Sequence, residues 1–285
     1  MKEFTRARAA AAAAERSQAL TGAISRLDWV YITAVLLALL LTLFLAAEPT
    51  QNWLLLLSCG VAALGADGVV RRHPRARFER LDDTALFLFV PVLMTLGIGL
   101  FLEEVADGHW TIAAGLLSAV PFWLVLRAEY ECVDRKVRFQ RVLGMEIDAY
   151  HLWRGVLNIA TYVTAFLFFS TMYDFDLDLL TLSFAAGVVS FLLAIEVLRE
   201  EALDTSRTIL FAIAIGALLG QAAWSTHFLP LEGSSAAVFL LLAFYLMTGM
   251  MHNYLGERLN ARTGSEFAVI ALAGLATVVA TQSYV

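Results

Sequence analysis

Apolar residues run along this chain in long blocks rather than in the one-sided stripes of helices packed in a soluble domain. Nine blocks come close to the roughly 20 residues that a helix needs to cross about 30 Å of hydrocarbon. They cover residues 28–47, 52–70, 84–102, 110–126, 152–173, 178–197, 208–226, 234–254 and 266–284. The pattern predicts an all-α fold, a polytopic transmembrane helix bundle of nine spans over residues 28–285. Residues 1–27, "MKEFTRARAAAAAAERSQALTGAISRL", mix an alanine run with scattered arginines. That mixture favours helix without a strong apolar face and predicts a cytoplasmic surface helix drawn to anionic lipid.

Composition agrees with the block pattern. With 60% hydrophobic and 16% charged residues and a mean hydropathy of +0.72, the chain is more apolar than a soluble domain of its length could bury. The first block is long and well flanked, so it reads as a retained anchor rather than a cleaved export signal. Cys59 falls in the second block and Cys132 in a polar segment, a placement that argues against a disulfide between them.

The net charge of −6 says less than its distribution. Segments 1–28, 71–83, 127–154, 198–208 and 255–265 hold 5, 5, 6, 2 and 2 Lys or Arg, which accounts for all 20. The alternate segments hold only acids: Glu48; Glu103, Glu104 and Asp107; Asp174, Asp176 and Asp178; and Glu232. The positive-inside rule then places the N-terminus in the cytoplasm and, with nine spans, the C-terminus outside. Trp29, Tyr31, Trp53, Trp110, Trp123 and Trp153 sit near block ends, where aromatic belts form at the headgroups.

Within the spans, Ala212, Gly216 and Gly220 recur every four residues, a stripe that lets two helix backbones approach closely. It marks the seventh span as central or as an oligomer contact. Pro91 and Pro121 interrupt spans three and four and, with Gln221 and Trp224, are the candidates for lining a cavity. Among Gln221, Trp224, Tyr245, His252, Asn253 and Tyr254 in the C-terminal third, Gln221 is expected to be the best-buried polar side chain. The segment 127–154 reads as an interfacial helix or an extension of the fourth span.

The richest chemistry lies in "LAIEVLREEALDTSRTIL", residues 193–210, where Glu196, Glu200 and Asp204 fall four apart and Arg199 and Arg207 stand close by. Glu196 ends an apolar run and is expected beneath the headgroups, paired with Arg199. The Glu-Glu-arginine order resembles the first motif of the CAAX-type intramembrane proteases. Arg207, however, is six positions past Glu201, and His227 falls at the opposite end of the seventh span, roughly 25 Å away along the helix. Arg71, Arg72, Arg75 and Arg77 form a basic hairpin suited to lipid headgroups. The preceding Asp67-Gly68 resembles the CDP-alcohol phosphotransferase signature, but no glycine follows within residues 73–81, and Asp82 and Asp83 are adjacent. In "LEEVADGHW" the acids and His109 are possible cation ligands without the spacing of a metal site, so no metal is assigned.

"REEALDTSRTILFAIAIGALLGQAAWSTHFLP" and "LLLAFYLMTGMMHNYLGERL" resemble the C-terminal portion of an uncharacterised group of polytopic bacterial membrane proteins. The resemblance implies a bacterial inner-membrane location and carries no activity. Because the only lysines are Lys2 and Lys136, outside every span, a retinal Schiff base is excluded, and other cofactors stay unknown. Nothing in the chain has the features of a nucleic-acid partner. Membrane lipids, a second copy of the chain or a partner membrane protein are the expected contacts. The first reading is a non-enzymatic scaffold, accessory or assembly subunit. The alternatives are a carrier of an apolar or lipid-like solute and a lipid-modifying enzyme at the cytoplasmic face.

Overall fold

The computed structural model describes residues 29–47, 51–72, 84, 87–106, 108, 110–138, 147–175, 177–199, 205–229, 231, 233–256 and 259–282. Among these the chain is all helical, without a strand. The elements are α1 (Trp29–Ala46), α2 (Asn52–Arg71), α3 (Phe89–Val105), α4 (Trp110–Leu117), α5 (Ala119–Arg138), α6 (Ile147–Asp174), α7 (Leu179–Leu198), α8 (Thr205–Thr226), α9 (Ser234–Leu255) and α10 (Ala261–Gln282). Among the described residues seven helical stretches are long and apolar enough to cross a membrane, with α4 and α5 together counting as one, Trp110–Cys132. The third and ninth expected spans, α3 and α10, fall outside that set. The surface helix expected over 1–27 lies outside the described residues.

Close contacts show successive passes running antiparallel. A Cβ on Gly68 or Gly65 of α2 would strike Trp29 or Thr33 of α1, one on Gly99 of α3 would strike Leu55 of α2, and one on Gly249 of α9 would strike Phe267 of α10. One end of the bundle therefore gathers the starts of α1, α3, α6, α8 and α10 and the ends of α2, α5, α7 and α9. All Lys and Arg among the described residues lie at this end, hereafter the basic end.

The interior falls into two apolar clusters. One joins α1, α2, α3 and α5 to the first half of α6 through residues such as Leu41, Phe44, Val90, Phe122 and Leu157. The other joins α3 and the second half of α6 to α7, α8 and α9 through Leu93, Phe169, Leu193, Ile215 and Phe244. The central element is thus α6, whereas α8 sits at the edge with Leu210, Ile213 and Leu218 exposed. Of the two readings of the seventh span, central or an oligomer contact, the central one is corrected here. Its stripe is used inside the chain, since Gly216 lies so near α7 that a Cβ would meet Gly187 O at 2.7 Å and Phe191 Cβ at 2.8 Å, and Gly220 would meet Ser183 O at 2.9 Å. Ala212 is fully buried beside them.

The two prolines act differently from one another. Pro91 is the third residue of α3, in the first turn, where its missing N–H is not needed, so it opens the helix instead of bending it. Pro121 offers no N–H to the Leu117 carbonyl, and the fourth span breaks at Ser118 into α4 and α5. Polar rungs cross the apolar interior: the Tyr162 and Thr248 hydroxyls are 3.1 Å apart between α6 and α9, and Tyr173 pairs with Thr226 between α6 and α8.

Candidate functional site

At the basic end, α5, α6 and α7 bring together four charged side chains that the bundle buries. Glu129 and Glu196 are fully buried and Arg154 is 4% exposed, and the Arg199 side chain is 9% exposed. Taking charges of this kind from water is tolerated only when they are paired and hydrogen-bonded.

Arg154, in the second described turn of α6, pairs with the last buried acid of α7. Its Nη1 donates to Glu196 Oε1 at 2.8 Å and its Nη2 donates to the Glu196 carbonyl at 2.6 Å. That carbonyl is in the last turn of α7, where helix oxygens lack intrahelical donors and carry the negative end of the dipole. Arg154 therefore caps α7 from a neighbouring helix while neutralising its last buried acid. Arg199, the C-cap of α7, uses a single nitrogen for two carboxylates: Nη2 reaches Glu196 Oε1 at 2.9 Å and Glu129 Oε2 at 3.2 Å. Its guanidinium lies 4.2 Å from the Phe87 ring centroid. Among the described residues three polar atoms of the cluster have no hydrogen-bond partner, Glu129 Oε1, Glu196 Oε2 and Arg199 Nη1.

With both carboxyls ionised, the two positive and two negative formal charges sum to zero, which makes the quartet self-neutralising. Its chemistry is that of a latch that ties three helices, with spare hydrogen-bonding capacity at three atoms. Among the described residues no group of His, Cys, Asp and Glu could hold a metal ion. Cys132, one turn beyond Glu129 on α5, and Cys59 are both free thiols.

The structure redistributes the residues expected from sequence. Glu196 and Arg199 belong to the quartet, Arg207 is exposed on α8, and Glu200 lies outside the described residues. Glu129 and Arg154, which complete the quartet, fall in the segment 127–154, read as an interfacial helix or an extension of the fourth span, with Arg154 also inside the expected fifth span, 152–173. The helix α5 runs on through Glu129 to Arg138. The i,i+4 pair Arg127 and Glu131 was the available signal that the helix continues past residue 126 and carries Glu129 inward. Gln221 is exposed and Trp224 is 41% exposed, which corrects the expectation of a buried Gln221. The small-residue stripe turns inward, and residues one position beyond it on a 3.6-residue helix turn outward. An apolar groove of about 350 Å³ lies between α3, α6 and α7, lined by residues including Leu100, Phe168, Met172 and Phe184 rather than by Pro91, Pro121, Gln221 or Trp224. It is near the end of α6 opposite Arg154, roughly 27 Å away at about 1.5 Å per residue.

In the basic hairpin, Arg71 pairs with Asp67 at 2.7 Å, and Thr84 Oγ1 donates to the same carboxylate at 2.8 Å. Arg72 stacks over the Trp29 ring at 3.9 Å. Arg75 and Arg77 lie outside the described residues.

Comparison with protein families matches residues 43–281 to one described as protein of unknown function, DUF5656. No curated protein and no solved structure matches the chain.

Proposed function

The chain belongs to the DUF5656 family of unknown function, and from that premise we propose that it is a bacterial inner-membrane protein of nine crossings that serves as a non-enzymatic scaffold, accessory or assembly subunit. The strict alternation of basic and acidic segments supports an N-terminus in the cytoplasm and a C-terminus outside. As the third crossing, α3 has 17 residues, about 25 Å of helix at roughly 1.5 Å per residue. Modest tilt or local thinning of the bilayer accommodates such a length.

The observation that carries the scaffold reading is the quartet. Glu129, Arg154, Glu196 and Arg199 direct their charge at one another and at the end of α7, an arrangement suited to fixing the basic end of α5, α6 and α7 as a rigid platform. Native purification with lipid, followed by mass spectrometry of co-purifying proteins, tests it. A partner in fixed ratio is expected, and Glu196→Gln should lower its recovery more than Arg207→Gln. Equal indifference to both substitutions would remove the platform from the account.

A second reading, a carrier for an apolar or lipid-like solute, draws on the three unpartnered polar atoms of the same cluster, because charged groups at membrane depth commonly mark solute pathways. Uptake by proteoliposomes that is lost in Glu129→Gln would favour the carrier over the scaffold.

A further inference from the structure

We propose that Arg72 and Trp29 form a clamp for the phosphate of an anionic inner-leaflet lipid, an inference that rests on the reading that the basic end meets that leaflet. Several independent features converge on it. Arg72 is exposed at the C-cap of α2. Among the described residues its guanidinium stacks over Trp29, 3.9 Å from the ring centroid. Stacking holds a guanidinium by its face and leaves the N–H edges available as a planar fork, the geometry that meets two phosphate oxygens at once.

The surroundings are built for that stack. Gly68, one turn before Arg72, leaves the space that the indole fills, since a Cβ there would lie 2.6 Å from Trp29 Nε1. The nearby carboxylate is already engaged: Asp67 holds Arg71 at 2.7 Å and accepts from Thr84 at 2.8 Å. Of the two adjacent arginines, Arg71 is thus neutralised locally and Arg72 keeps its charge for a ligand. Trp29 opens the first membrane-long helix, which sets the pair at headgroup level, where indoles and arginines both settle. The commonest phosphate at that level is the phosphodiester of a lipid, and a net-negative headgroup is preferred because a zwitterionic one brings its own cation to compete with Arg72.

The test is native mass spectrometry of the full-length, detergent-released protein titrated with phosphatidylglycerol or phosphatidylcholine. Wild type is expected to retain phosphatidylglycerol preferentially. Arg72→Lys keeps the charge but loses the fork and the flat stack, and should weaken phosphatidylglycerol binding roughly tenfold. Arg207→Gln, which removes an exposed charge at the same end, should leave it within about twofold. Gly68→Ala, which crowds the indole, should reproduce the Arg72→Lys loss if it folds; the surface substitution Arg72→Lys decides the matter if it does not. Equal binding of the two lipids, equal losses in Arg72→Lys and Arg207→Gln, or full displacement of lipid by inorganic phosphate would each overturn the clamp. Detergent-released protein has no sidedness, so these outcomes judge the clamp alone, while tagging the two chain ends in cells judges the topology.

Discussion

Replacing Arg154 with methionine keeps an unbranched stem on α6, shortens the side chain and removes its charge. The substitution deletes the 2.8 Å ion pair to Glu196 and the 2.6 Å donation to the α7 terminal carbonyl. A further contact, 3.4 Å to Val197 O, is too long to add much. Hydrogen bonds to charged groups contribute about 1.5–3 kcal/mol each, and removing one member of a buried pair leaves an uncompensated charge, for a total of about 3–5 kcal/mol. At about 1.4 kcal/mol per factor of ten, the middle of that range is close to a thousandfold in the folding equilibrium. Equilibrium unfolding in mixed micelles with increasing denaturing detergent measures it. The companion variant Arg154→Met with Glu196→Leu should recover part of the loss, because it removes the stranded carboxylate as well. Arg262→Gln supplies the contrast, since that arginine pairs with Glu266 at 3.3 Å with a side chain 88% exposed, and its loss should stay under about 1 kcal/mol. If Arg154→Met costs no more than Arg262→Gln, the quartet does not hold the basic end together.

Other expectations follow from separate parts of the fold. Gly216→Ala should push α8 from α7 and lower stability by about 1–3 kcal/mol, whereas Gly60→Ala, with open space around the new Cβ, should be neutral or slightly stabilising by thermal denaturation. Thr248→Val leaves the Tyr162 hydroxyl without its 3.1 Å partner and should cost about 0.6–1.7 kcal/mol in the same mixed-micelle assay. Asp178 caps α7 by accepting from Thr181 Oγ1 and Thr181 N, and these bonds hold its carboxyl below the ordinary carboxylate range. Its contribution is therefore present above the unfolded carboxyl value and lost as pH falls through the lower folded one, so the melting difference between wild type and Asp178→Ala should shrink below about pH 4.

How much of this was legible beforehand depends on the length scale of each signal. The apolar blocks are around 20 residues long, so helices appear at all nine places, with α5 reaching Arg138 and α6 starting at Ile147, both beyond the expected ends. Apolarity marks where a helix enters lipid, not where it stops, and for that reason Glu129 reads equally as part of an interfacial helix or of an extended fourth span, and Arg154 stands at the edge of the expected fifth span. Glu196 and Arg199 were legible because three residues bring them onto one face. Their partners lie 70 and 42 positions away, a proximity set by the packing of α5, α6 and α7, which a single sequence does not encode locally. Gly216 and Gly220 revealed close approach but not the partner, and Gln221 followed its neighbours inward in the reading though it turns outward in the fold.

Because α3 and α6 each contribute side chains to both apolar clusters, they are a party wall between two rooms. A ribosome delivers α1 through α5 before α6, so the earlier room stays open on one side until its last wall arrives, and α3 waits longer still for α7 to α9. Whatever attends this chain during its insertion meets those unfinished surfaces first.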